Sequence, residues 1–255
     1  MNTYAIVRSP AYSYLNCISN HPQRSTIDIY RVYEQYANYI AALKELGCRI
    51  LERPALKTLP DSCFVEDRCI VAENTAAITS SKVSGRKGEE DDLIYLIMQY
   101  RQVDFIKKPG YVDGGDIIIV GDTLYGGISK RTNLKGLEQL AEILNKNLVS
   151  IQVPSITLHL KTISSFIGEK TILVREDLSY LWEDKNFHII KVPMKEEHAA
   201  NCIVKGNKII APAGCPKTIS VLKTLGLEVI ELEMSEFQKG DGSLTCLSVI
   251  FESGK

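Results

Sequence analysis

Five polar residues mark this chain at nearly even intervals: Glu66, Asp113, His159, Asn201 and Cys246, which lie 47, 46, 42 and 45 positions apart. Each follows an apolar run that reads as a strand, and each sits in a short loop leading into another such run. The set contains a nucleophile (Cys246), a base (His159) and a carboxylate partner for that base (Asp113). A cysteine attacks as its thiolate, an imidazole carries protons near neutrality, and a carboxylate beside it holds its tautomer and shares its charge. Self-similarity at a fixed period is the signature of a repeat architecture. Here the repeated position changes chemistry from unit to unit, as it would in a ring of similar modules aiming different side chains at one centre.

The loops around these positions sharpen the chemistry. Cys246 ends the glycine-rich turn Gly240-Asp241-Gly242-Ser243-Leu244-Thr245-Cys246, where glycine lets a ligand approach the main chain closely. His159 is flanked by Leu158 and Leu160, a setting that suits a core histidine equally well; His21, His188 and His198 read as surface or structural. Asp113 and Asp116 occupy Val112-Asp113-Gly114-Gly115-Asp116, residue types that an ordinary turn also favours. The densest acidic stretch holds Asp61, Glu66 and Asp67, with Phe64-Val65 inside it and Ile70-Val71 after it. Carboxylates crowded among apolar residues need a cation, or their pKa values rise. A bound guanidinium would supply one, because its planar fork matches paired carboxylates. Arg86 and Arg131 lie in loops; they are solvated charges by default, and each could grip a substrate carboxylate.

The elements that must position these residues repeat five times, at 48–79, 103–129, 148–174, 187–213 and 228–251. Each pass reads as a strand, a polar loop, a second strand, a turn and a third strand. Four of the first strands end at or near a proline (Pro54, Pro109, Pro154, Pro193), and three turns fall at Gly121-Asp122, Gly168-Glu169 and Gly206-Asn207. Helical stripes fill the gaps: Tyr33, Ala37, Ile40, Leu43 and Leu46; Leu93, Ile94, Ile97 and Met98; Leu134, Leu137, Leu140, Ala141 and Leu144; Ile219, Leu222 and Leu225. The pattern predicts one α/β domain over 1–255, closed around a pseudo-five-fold axis, with an ordinary α/β sandwich as the alternative.

The whole chain bounds the partners. Thirty basic against 31 acidic residues give a net charge of −1, which argues against nucleic acid or a membrane surface. No apolar run approaches the length of a transmembrane helix, and the segment from Met1 to Arg8 reads as a strand, not a signal peptide. Seven cysteines at irregular spacing, with no CxxC pair or zinc-type Cys/His pattern, disfavour a disulfide framework or a metal site and point to the cytoplasm. Most of them should be small buried hydrophobes.

Taken in order, FVED, DGGD, GISKRTN, LHLKT, AANC and DGSLTC resemble the motifs of the dimethylarginine dimethylaminohydrolases, members of the guanidine-modifying superfamily. The resemblance runs from Val7-Arg8-Ser9-Pro10 to Cys246. It implies a five-bladed α/β propeller with the site on its axis, and cofactor-free hydrolysis of Nω-methylated arginines to citrulline and a methylamine, by an enzyme for which a homodimer is one assembly to test. By the same resemblance Cys246 is the nucleophile, His159 the general acid/base and Asp113 its partner. Glu66 and Asp67 hold the guanidinium, and Asp61 also lines the site. Arg86 and Arg131 take the α-carboxylate, while Ile18, Gly240 and Asp241 receive the α-amino group. The chain departs from the family at Gly240, where a branched apolar residue is common, which implies a looser wall. The lid segment Arg8–His21 matches least. Rival readings are an arginine deiminase or amidinotransferase, against which Glu66 in FVED argues because deiminases of free arginine carry a basic residue there, and a non-catalytic propeller acting as a binding factor.

Overall fold

The computed structural model describes residues 1–254. Fifteen strands and six α-helices alternate along the chain, with short 3-10 turns between them. In order they are β1 (Asn2–Arg8), α1 (Ile29–Glu45), β2 (Cys48–Arg53), β3 (Cys69–Ala72), β4 (Thr75–Ile78), α2 (Asp91–Ile97), β5 (Gln102–Phe105), β6 (Ile117–Val120), β7 (Thr123–Ile128), α3 (Leu134–Leu144) and β8 (Asn147–Gln152). There follow α4 (Leu160–Ile163), β9 (Ser164–Gly168), β10 (Thr171–Arg175), β11 (His188–Val192), β12 (Ile203–Lys205), β13 (Lys208–Pro212), α5 (Pro216–Thr224), β14 (Glu228–Leu232), α6 (Ser235–Gln238) and β15 (Ser248–Ser253).

The strands form five three-stranded sheets: β3-β4-β5, β6-β7-β8, β9-β10-β11, β12-β13-β14 and β15-β1-β2. Within each, the first pair is antiparallel and the second parallel. A two-residue turn suffices for the antiparallel step, whereas a parallel neighbour demands a crossover. The crossover is α2, α3, α5 or α1 in four sheets, and in β9-β10-β11 it is the 3-10 turn Glu176–Leu181 with buried Trp182. The fifth sheet joins the two ends of the chain, pairing Asn2 with Ser253 and Val7 with Ser248. This is the five-bladed α/β arrangement expected from the repeat, and the sandwich alternative is excluded.

The unit boundaries differ from those of the sequence period. The first strand of each sequence module is the outer strand of the preceding sheet, because the crossover returns it beside the middle strand in parallel. A module read from an apolar run therefore straddles two blades.

Five apolar clusters lie between neighbouring sheets, one to each seam. Successive residues of the middle strands feed opposite seams: Tyr4 and Ile6 one, Ala5 and Val7 the other. Burial on both faces explains why these strands read as continuous apolar runs, without the polar alternation of a half-exposed sheet.

One helical stripe differs from expectation. In α1 the buried face is Val32, Tyr36, Tyr39, Ala42 and Leu43, while Tyr33 and Ala37 are exposed. Tyrosine can face inward here because its hydroxyl is satisfied: Tyr39 donates to the Leu244 carbonyl or Ser248 and Tyr36 to Glu52. Met98, Leu134 and Leu225, also assigned to buried stripes, are exposed at helix ends. Among the described residues no helix is long and apolar enough to cross a membrane.

The blades meet at the axis through close backbone approach. A methyl group on Gly114 would overlap the Glu66 carbonyl oxygen, and one on Gly115 would overlap the His159 ring. Gly114→Ala must therefore push two blades apart. We expect it to destabilise the fold by about 3 kcal/mol, measured as a lower midpoint of urea unfolding; an unchanged midpoint would show that the loops can yield.

Candidate active site

All five evenly spaced residues lie just before an innermost strand: Glu66 before β3, Asp113 before β6, His159 before β9, Asn201 before β12 and Cys246 before β15. They occupy one end of the propeller axis, and the loops that carry them are stitched in sequence. Asp67 accepts from the Gly115 N–H (3.3 Å), Asp116 from the Leu160 N–H (3.0 Å), Ser165 from the Cys202 N–H (2.9 Å) and Asn201 from the Thr245 N–H (3.0 Å). The Thr245 hydroxyl donates to Glu66 (2.9 Å) and completes the circuit.

This stitching places the side chains. Asp116 caps the first turn of α4, which follows His159 directly, and accepts from Ser129 through its other oxygen. The His159 ring packs against Gly115, with Nε2 3.4 Å from Asp113 Oδ2. That contact is an ion pair without hydrogen-bond alignment, and buried Nε2 has no hydrogen-bond partner. Unliganded sites commonly hold such pairs slightly apart. Asp113 is fixed on its other side by Arg68 (3.0 Å) and touches Arg131 (3.4 Å). Arg68 and Glu89 were not singled out in the sequence. Glu89 is fully buried between Arg86 (2.8 Å) and Arg68 (3.6 Å), so it links the arginine on Asp67 to the arginine on Asp113. Their only sequence signal is charge inside otherwise apolar or loop segments.

Ten consecutive residues from Asp61 to Ile70 are buried, as the apolar neighbours of this acidic stretch suggested. The cations it requires are the protein's own: Arg86 contacts Asp67 at 2.6 Å, and Lys161 contacts Glu66 at 2.6 Å.

A narrow cavity of ≈ 20 Å³ gathers Ile18, Asp61, Asp67, Arg86, Arg131, His159, Gly240, Asp241 and Cys246, the residues expected there, together with Phe64, Leu158 and Gly242. Asp113 lies beneath the imidazole instead of on the wall. Glu66 departs from expectation. It faces a larger axial channel of ≈ 390 Å³ bounded by the five innermost strands, and Lys161 and Thr245 occupy its oxygens. The channel is roomier, but its walls are largely apolar, and thiol and imidazole meet in the small cavity.

Arg86 also departs from expectation. It spends Nε on Glu89, one terminal nitrogen on Asp67 and the other on the carbonyls of Asp61 and Phe64. Arg131 makes one long contact and keeps donors in reserve. The wall at Gly240 is not loose: the Tyr14 hydroxyl fills the space a Cβ would take. The segment before it is latched, with the Ile18 N–H on Asp61 (3.1 Å) and the Asn20 N–H on Asp241 (2.9 Å).

The electrostatics separate the two reactive groups. Burial alone would lower the His159 pKa, but Asp116, Asp113 and Asp67 outweigh it and raise it to about 9. Burial pushes the Cys246 thiol up, and Glu66 and Asp67 push it further. Six cysteines are buried and Cys246 is the only partly exposed one among the described residues. Asp67 is also buried, yet Arg86, His159 and Arg68 hold its carboxyl below the usual range. Asp67, Asp113 and His159 could geometrically present three ligand atoms to a cation, within 4.8 Å of one another. Their carboxylates already contact Arg86, Arg68 and Arg131, and a protonated imidazole is not a ligand.

The raised His159 pKa has a stability consequence. A charged imidazole stabilises the fold fully below its unfolded value of 6.5, and the contribution fades as pH rises through about 9. The span corresponds to about 3 kcal/mol. Denaturant unfolding should lose this much across the window in the native chain and not in His159→Asn; equal slopes would show the ring to be neutral.

The chain is similar in sequence and fold to known proteins. The family model described as "N,N dimethylarginine dimethylhydrolase, eukaryotic" matches residues 11–251. The N(G),N(G)-dimethylarginine dimethylaminohydrolase of Pseudomonas aeruginosa is 35% identical over 98% of this chain and 100% of its own length. The crystal structure of that organism's enzyme, a cysteine-to-serine mutant complexed with citrulline, superposes with a TM-score of 0.94 at 33% identity, covering 98% of this chain and 100% of that one. A dimethylarginine dimethylaminohydrolase variant as an adduct with S-methyl-L-thiocitrulline gives the same TM-score, identity and coverage.

Proposed function

The chain belongs to the dimethylarginine dimethylaminohydrolase family, and from that membership we propose that it hydrolyses Nω-methylated arginines to L-citrulline and dimethylamine or methylamine. One observation carries the reading at this site: a single small cavity is lined by a thiol, an imidazole, three carboxylates and a guanidinium with unused donors. This set matches a substrate with a cationic guanidinium at one end and an amino acid zwitterion at the other.

A guanidinium is a poor electrophile because its charge is delocalised, and it stays protonated at every relevant pH. Asp67, held ionised, is the carboxylate that receives it and keeps its central carbon electron-poor. Burial, and after it the Glu66 and Asp67 charges, hold Cys246 protonated. The bound cation offsets those charges, so the thiol gives its proton to solvent and the thiolate forms when substrate arrives. The thiolate attacks the guanidinium carbon, His159 gives its proton to the departing dimethylamine, and an S-alkylthiouronium remains. Neutral His159 then takes a proton from water and the hydroxide adds to the same carbon. The C–S bond breaks, the proton on the new oxygen passes to the departing sulfur, and citrulline and the thiol are released. Asp113 keeps the imidazole oriented through both steps.

At the other end, Arg131 takes the α-carboxylate; Arg86, whose donors are largely spent, positions Asp67. Asp61, Asp241 and the backbone at Ile18 and Gly240 take the α-amino group. The segment around Ile18, latched to Asp61 and Asp241, borders the cavity, and substrate entry releases those latches. Glu66 holds the axial plug with Lys161 and acts on the guanidinium only through its charge. Residues 1–255 act as one domain; the cytoplasm is its compartment, in keeping with free thiols at all seven cysteines, and a homodimer is the assembly to test by sedimentation.

Asymmetric dimethylarginine, monomethylarginine, arginine and agmatine should be assayed in parallel for citrulline or its decarboxylated counterpart and for released amine. The methylated amino acids should be turned over and the other two poorly. Cys246→Ser and His159→Ala should each abolish turnover while remaining folded. Arg131→Ala should raise KM about 10²-fold with a smaller effect on kcat, the loss expected for a charge-assisted contact of about 3 kcal/mol. Full activity in Cys246→Ser would overturn the scheme.

A further inference from the structure

Asn201, the fourth of the five evenly spaced residues, has no place in the chemistry above. It is 2% exposed, and its amide binds two catalytic loops at once. Nδ2 donates to the Lys161 carbonyl (2.8 Å) and to the Thr245 hydroxyl (3.1 Å), and Oδ1 accepts from the Thr245 N–H (3.0 Å). Lys161 follows His159 by two residues, and Thr245 directly precedes Cys246. We infer that Asn201 is a positioning residue that holds the Cys246 turn in register with the His159 loop. The inference rests on the hydrolytic reading for its kinetic consequences.

The chemistry of the bridge explains the residue type. The Lys161 carbonyl needs a donor and the Thr245 N–H needs an acceptor, and a primary amide supplies both from one planar group. At the neighbouring seam Ser165 does a similar job with a hydroxyl, donating to the Ala200 carbonyl (2.7 Å) and accepting from the Cys202 N–H (2.9 Å). That seam carries no reactive pair. The Asn201 seam is the one where the unit bearing the imidazole and the unit bearing the thiol are joined through a third.

The bridge is also closed on itself. Thr245 donates to Glu66 Oε2 and Lys161 Nζ donates to Glu66 Oε1, so Asn201, Lys161, Glu66 and Thr245 form a ring of hydrogen bonds. Glu66, Lys161 and Thr245 line the axial channel and are absent from the walls of the reactive cavity. The ring is thus the partition between channel and cavity. Loosening it displaces Cys246 and admits water behind it. Displacement of a reacting group by about 1 Å costs on the order of 10²-fold in rate.

The test compares the native chain with Asn201→Ala, with Thr245→Val, which removes the hydroxyl contacts and keeps the N–H, and with Thr245→Ser, which restores the hydroxyl. We expect kcat on asymmetric dimethylarginine to fall about 10²-fold in the first two with KM changed less than about threefold, and to recover in Thr245→Ser. A second readout needs no substrate: the pH profile of Cys246 alkylation by iodoacetamide, followed by peptide mass mapping with Cys246→Ser as blank. Its midpoint should move in Asn201→Ala and Thr245→Val. Native kcat with a native alkylation profile in both variants overturns the inference. If the native chain makes no citrulline, the hydrolytic reading fails, and the alkylation profile alone decides the role of Asn201: a moved midpoint supports it and an unmoved one overturns it. Should Asn201→Ala not fold, Thr245→Val carries both measurements.

Discussion

The structure depends on a chain of hydrogen bonds that runs around the axis from one loop to the next: Asp67 to Gly115, Asp116 to Leu160, Ser165 to Cys202, Asn201 to Thr245, and Thr245 back to Glu66. Blades of a propeller otherwise touch only their neighbours, through apolar seams that set spacing but are indifferent to small slides. Buried backbone N–H groups cannot go without partners, so four of the five loops supply an acceptor to the next, and the Thr245 hydroxyl closes the circuit as a donor to Glu66. A single such bond contributes about 1 kcal/mol. Leaving its buried donor unpaired costs more, which makes the circuit hold as a unit. The reactive residues are neighbours of these bonding positions, so the constraint that closes the ring also sets the site.

The same crowding dictates the electrostatics. Asp61, Glu66, Asp67, Glu89, Asp113 and Asp116 are all buried near the axis, against Arg68, Arg86, Arg131, Lys161 and His159. Buried ion pairs of this kind add little net stability, because desolvation offsets the attraction. Their effect lies in orientation and proton affinity. Acids surrounding the imidazole keep it charged, while burial, reinforced by the acids beside it, keeps the thiol neutral. The resting site therefore withholds its nucleophile until a cation enters, which suits a substrate that carries a permanent one.

Much of this was legible before any fold was known, and particular residues show why the rest was not. Cys246, His159 and Asp113 stood out because their types differ at equivalent positions of a period. Glu66 shared that period yet faces the axial channel, because Lys161, 95 residues away, takes one of its oxygens. Arg86 read as a free loop charge and is enclosed by Glu89 and Asp67. Gly240 read as a gap and is filled by Tyr14, more than two hundred residues earlier. In α1 the apolar stripe pointed to Tyr33 and Ala37, while inward tyrosines with satisfied hydroxyls turned the helix. Each miss is a partner distant in sequence.

The sequence by itself determined the strands, the hairpin turns, the five-fold period and the inventory of reactive groups, because backbone preference and side-chain chemistry are local properties. Only the tertiary structure decided which strand closes which sheet, which acids face the substrate, which cations are already spent and what Asn201 joins. Those outcomes follow from hydrogen bonds and ion pairs between loops tens to hundreds of residues apart, whose energies depend on burial and distance and leave no local mark on the chain.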